Sequence, residues 1–68
     1  MKAFFYPIIG GQIRPDKAVR MKDRYWTSVR TYFIEVEGRP EEEVTRDMDG
    51  RGYIERKTPT GVVRYVQD

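Results

Sequence analysis

Cysteine and histidine are absent, and Ser28 is the only serine. Without cysteine no disulfide can staple the fold and no thiolate can act as a nucleophile. Without histidine the usual neutral-pH proton shuttle and nearly every zinc site are gone. No lysine is placed by a motif to activate Ser28, and no glycine pattern that cradles phosphate precedes a helix. Glu35 and Glu37 would share a strand face, where an acid–base pair is conceivable but alternation to solvent is the commoner use. Glu41, Glu42 and Glu43 are consecutive and so cannot converge on one ion. The expectation is a protein that is not an enzyme and carries no cofactor and no metal. Long apolar runs are also missing. Phe4-Phe5-Tyr6-Pro7-Ile8-Ile9 is too short to cross a membrane, and no small-residue cleavage site follows it, which predicts a cytoplasmic protein with no membrane partner.

What is present is charge and β-forming side chains. A chain of 68 residues buries only about 60% of its unfolded surface, enough for one thin core, so residues 1–68 read as a single domain. Such a core supplies roughly 3–5 kcal/mol, which a homo-oligomer or a partner would supplement. The net charge of +2 hides three blocks. Residues 1–34 set seven cations against two acids, residues 35–50 set seven acids against two cations, and residues 51–68 return to a small positive excess. Blocks of this kind pair with one another across a fold or form a binding surface.

Turns are marked by Gly10-Gly11, Gly38-Arg39-Pro40 and Thr58-Pro59-Thr60-Gly61. The segments between them are rich in Val, Ile, Tyr, Phe and Thr, which suit a pleated surface. Lys2 to Ile9 is apolar on both faces, and Pro7, which cannot donate to a ladder, predicts an edge, a bulge or a strand end there. Residues 27–37 alternate, which predicts a strand with Tyr32, Ile34 and Val36 in the core and Phe33 partly covered from the other side. Residues 15–26 read as a helix with Ala18, Met21 and Tyr25 in a stripe behind Pro15, or as a strand, and the strand is preferred. After Pro40, Glu41–Glu43 suit the first turn of a short helix over about residues 40–49, with Val44 and Met48 inward and Gly50 or Gly52 as its stop; a continued hairpin is the alternative. The fold class expected is mainly β or α+β: one antiparallel sheet of four or five short strands with at most one or two short helices.

The stretch Asp47-Met48-Asp49-Gly50-Arg51-Gly52-Tyr53-Ile54 resembles an EF-hand loop in Asp47, Asp49, Gly52 and Ile54. It departs where oxygens are needed, because Arg51 stands at the fifth position and Thr58 at the closing one. The region also resembles the wing of winged-helix regulators, with Val44 to Met48 ending a helix ahead of a basic hairpin. That likeness implies a helix-turn-helix in front, where residues 27–37 read as a strand. A plain hairpin accounts for the residues with least strain. Thr58-Pro59-Thr60-Gly61 is turn chemistry, and it sets Glu55 opposite Arg64 and Ile54 opposite Tyr65, whereas a one-residue slip would oppose Arg56 to Arg64.

Two binding functions follow. If residues 17–26 are extended, Arg20, Lys22, Arg24 and Trp26 share one face with Arg30 continuing it, and cations beside a ring suit nucleic acid. Nine of the thirteen basic residues are Arg, which favours planar recognition of phosphate or carboxylate. The alternative is a protein-binding module that resembles, in size and style, the inhibitors of phages and mobile elements. It would bind a host protein or nucleoprotein complex through an edge strand, or through Glu35, Glu37, Glu41, Glu42, Glu43, Asp47 and Asp49, with Trp26, Tyr25 or Phe33 as anchors.

Overall fold

The chain is described here by a computed structural model covering all 68 residues. Its first strand, β1 (Lys2–Ile9), turns through Gly10 and Gly11, both at positive φ (61° and 78°), into the two-residue β2 (Gln12–Ile13). A single 3-10 turn at Pro15–Lys17 interrupts the return path before β3 (Val19–Met21) resumes it. β2 and β3 therefore pair with the same side of β1, Ile8 opposite Ile13 and Phe4 opposite Arg20. On the other side β1 pairs antiparallel with β5 (Gly61–Val66), which pairs with β4 (Tyr53–Thr58). Pro7 sits in an interior strand, but it falls between the β3-paired and β2-paired stretches and at the end of the β5 ladder. Its carbonyl still accepts Arg14 N–H at 2.9 Å, and no ladder donor is needed there.

Two helices connect β3 to β4. α1 runs over Trp26–Thr31 and widens into a π-helical turn over Tyr32–Val36, with Glu37 N–H donating to the carbonyl of Tyr32 five residues back. α2 runs over Glu41–Thr45 and widens likewise over Arg46–Arg51 before Gly52, at φ +80°, ends it as a left-handed cap. Residues 27–37 are thus helical, correcting the strand reading. Val29 and Phe33 stand four apart and so share a helix face; both are buried, Phe33 completely, while Val36 is 71% exposed and Tyr32 and Ile34 are half-buried. The alternation satisfied a strand period, but Phe33, the ring that the core takes, was on the opposite phase. Residues 15–26 follow the preferred strand reading only over Val19–Met21: a 3-10 turn at Pro15–Lys17 precedes it, Trp26 already opens α1, and the helical stripe does not form, Ala18, Met21 and Tyr25 being exposed.

The core forms where the helices meet one face of the sheet. Val29, Phe33, Val44 and Met48 pack on Ala3, Ile54, Val63 and Tyr65, with Met1 at the margin. Phe33 meets Tyr65 edge-on at 6.1 Å and Tyr32 at 5.3 Å. Val44 and Met48 point inward as expected, and the hairpin has the expected register, Glu55 opposite Arg64 and Ile54 opposite Tyr65. The result is the expected antiparallel sheet with two short helices, in its α+β form.

Candidate functional site

The helices cover one face of the sheet and leave the other open. Side chains alternate along a strand, and those directly opposite across a ladder share a face. Ala3, Phe5, Val63 and Tyr65 take the helix side, so Lys2, Phe4 and Tyr6 of β1 face the open side. Arg20 of β3, Arg64 and Val62 of β5, and Tyr53, Glu55 and Lys57 of β4 join them there. This surface is a chain of cations and rings. The Arg20 guanidinium lies 5.4 Å from the Phe4 ring centre, and Arg64 lies 5.5 Å from Tyr6 and 4.4 Å from Tyr53. Arg51, from the end of α2, stacks on Tyr53 at 4.3 Å and donates to its hydroxyl, which holds Arg51 protonated beyond its ordinary range. Glu55 is the one carboxylate carried by the strand positions of this face, and both Nε and Nη2 of Arg64 donate to it, at 3.1 and 3.0 Å; Asp23 and Asp47 reach its margins beside Arg20 and Arg51. Lys2 and Lys57 are exposed at opposite margins. A shallow hollow between Tyr6, Ile13, Pro15, Val62 and Arg64 gives the surface relief.

The structure divides the cations read from the sequence. Arg20 lies on the open face, tethered to Asp23 at 2.6 Å. Beyond β3 the register slips: Ala3 opposes Met21, yet Met1 and Arg24 exchange backbone hydrogen bonds at 2.5 and 2.9 Å. The extra residue at Lys22-Asp23 is a bulge. It carries Arg24 to the helix side, while Lys22 stays exposed at the bulge itself. Trp26 and Arg30 lie on α1, where the Arg30 guanidinium covers the Trp26 ring at 5.7 Å and donates to Glu41 at 2.9 Å. The five residues therefore do not share a face. Phe4, Tyr6, Tyr53 and Arg64 join Arg20 instead. Phe4 and Tyr6 gave a sequence signal, the two-sided apolar pattern of β1, but one of its faces is covered by helices and the other by arginines.

The acidic residues also separate. Glu43 and Asp47 both accept from Arg39 Nη2, each at 2.7 Å, and Arg51 stands 3.6 Å from Asp47. The Arg39 hydrogen bond holds the Asp47 carboxyl below the ordinary carboxylate range despite burial. Glu37 lies beside the Tyr32 hydroxyl and raises its pKa. Glu35, Glu42 and Asp49 are exposed with no cation partner. Phe33 is fully buried and cannot be an anchor; Tyr25 is 83% exposed. A groove lined by Trp26, Thr27, Arg30, Ile34, Glu35 and Glu41 runs between α1 and the start of α2, and Arg30 Nη1 is buried in the protein without an acceptor.

Residues 47–51 are helical and Tyr53–Thr58 is a strand, so the segment resembling an EF-hand is no loop between helices. Helix, four-residue turn, helix and hairpin do follow one another in the order the wing likeness requires. The second helix nevertheless opens on Glu41-Glu42-Glu43 where a recognition helix would meet DNA, and carboxylates there oppose phosphate. No protein-family model matches the chain, and no curated protein or solved structure matches it either.

Proposed function

We propose that this is a non-enzymatic binding protein that takes single-stranded nucleic acid on the open face of its sheet. One observation carries the reading: three rings, Phe4, Tyr6 and Tyr53, are interleaved with Arg20 and Arg64 across four strands, with Lys2 and Lys57 at the margins. Stacking on rings and guanidinium planes, with cations along the backbone path, is the chemistry that single strands require. The remote edges of the guanidiniums stay available to phosphate oxygens.

Fluorescence anisotropy with a labelled oligonucleotide tests it. Affinity falls steeply with added salt, and Tyr53→Ala and Arg64→Gln each weaken binding about fivefold or more, as loss of one stacked base implies. Arg24→Ala, on the opposite side, leaves it unchanged. A protein without polyanion affinity at low salt overturns the proposal.

The groove beside Trp26 favours a second reading. A half-buried ring between Glu35 and Glu41 suits a basic segment of a host protein or nucleoprotein complex, the inhibitor-like role. Capture of partners from lysate that survives nuclease treatment and is lost in Glu35→Lys supports this reading over the first; capture abolished by nuclease supports the first.

A further inference from the structure

On the helix side of the sheet, away from the proposed nucleic-acid face, a small cleft opens between α1 and the strands. It is lined by Arg24, Ser28, Val29, Tyr32, Arg56 and Tyr65 and measures about 70 Å3. That exceeds the roughly 10–15 Å3 that one water molecule needs, so a small oxyanion fits. Two of its residues are arginines, neither in an ion pair, and no carboxylate lines it.

The polar groups are arranged as donors. Arg56 Nε donates to the Tyr65 hydroxyl at 3.3 Å, which uses that oxygen's lone pair and leaves its O–H free to donate. The guanidinium is stacked against Tyr32 at 5.6 Å, so its plane is fixed while its Nη groups have no protein acceptor. Arg24 is placed on this side by the bulge, its backbone locked to Met1 and its side chain exposed. Ser28 adds a hydroxyl from the first turn of α1. Glu37 sits beside the Tyr32 hydroxyl and engages that proton, and Asp23 and Asp68 border Arg24 on its other side. Two arginines and two hydroxyls lining a cleft this small suit a doubly charged anion with oxygens in several directions.

We infer that this cleft binds a phosphoryl dianion, as inorganic phosphate or the end of a phosphomonoester, through Arg24, Arg56, Ser28 and Tyr65. A diester carries a single charge, which leaves one of the two arginines without a counter-charge. The site is therefore distinct in chemistry and position from the proposed strand-binding face.

Amide and arginine Nε correlation spectra of the labelled protein, titrated at constant ionic strength with phosphate, methyl phosphate or dimethyl phosphate, test the inference. Phosphate produces saturable shifts confined to residues around 24, 28, 56 and 65, and dimethyl phosphate produces none. Binding of methyl phosphate as well extends the ligand to monoesters; its failure restricts the site to free phosphate. Arg24→Gln, an exposed side chain with no packing role, weakens phosphate about tenfold or more, as loss of a charge-assisted contact implies. Arg56→Gln does the same, with the spectrum itself reporting whether that variant is folded. Arg64→Gln leaves phosphate binding intact while reducing oligonucleotide binding, which separates the fate of this site from that of the open face. Shifts equally produced by chloride, or retained in Arg24→Gln, overturn the inference.

Discussion

Two glycines of the same hairpin region answer to different physics. Gly52 ends α2 at φ +80° with open space where a Cβ would go, so Gly52→Ala costs only the left-handed conformation, about 1–2 kcal/mol. Gly61 faces the aromatic interior: a Cβ there would fall on the Tyr6 carbonyl oxygen and within 2.8 Å of Phe5 Cζ. Neither the strand backbone nor a packed ring can yield cheaply, so Gly61→Ala costs about 3 kcal/mol or more by overpacking. Urea denaturation midpoints order the two variants, with Gly61→Ala the lower. The turn chemistry of Thr58-Pro59-Thr60-Gly61 was legible, but the demand of Phe5 on Gly61 was not, because the two residues come from strands at opposite ends of the sequence.

The elements most readable from sequence were those where one alternative carried a visible penalty. In the β4–β5 hairpin a slipped register would oppose Arg56 to Arg64, and the observed one joins Arg64 to Glu55. In α2 only Val44 and Met48 could face inward, four residues apart, and both do. Residues 27–37 offered no such penalty, since β-branched and aromatic side chains in alternation fit a strand and a helix stripe alike until the sheet is present to receive Phe33. The two readings make opposite predictions for stability. Phe33→Ala removes a fully buried ring and costs about 3–5 kcal/mol, enough to unfold most of the protein, whereas Val36→Lys stays within about 0.5 kcal/mol of the parent. Midpoints in urea check both, and a strand with Val36 in the core would reverse them. The open sheet face escaped the sequence for a related reason. Its residues come from β1, β3, β4 and β5, so no local window contains them; only Arg20 was read in advance.

Over the whole molecule the charge blocks pair mostly within or between neighbouring elements. Arg30 reaches Glu41 from α1 to α2, Arg39 holds Glu43 and Asp47, and Arg64 holds Glu55. Asp47 is the only buried acid, 7% exposed, with its pKa lowered first by Arg39. A carboxyl depressed in the folded state stabilises the protein above its unfolded pKa, and that stability drains away as pH falls through the folded value. Unfolding midpoints should therefore hold steady down to about pH 4 and fall below it, and Asp47→Asn should lower the neutral-pH midpoint while flattening the acid decline. The surface pairs Arg14–Asp16 and Arg20–Asp23 add little to either effect. The sheet order has a consequence of another kind. β1 lies beside β5, joining residues 2–7 to residues 61–66, and β4 touches β1 only through β5. The β4–β5 hairpin can form locally, but it meets β1 only when the two ends of the chain come together, so closure of the sheet is a single long-range step that sets the pace of folding.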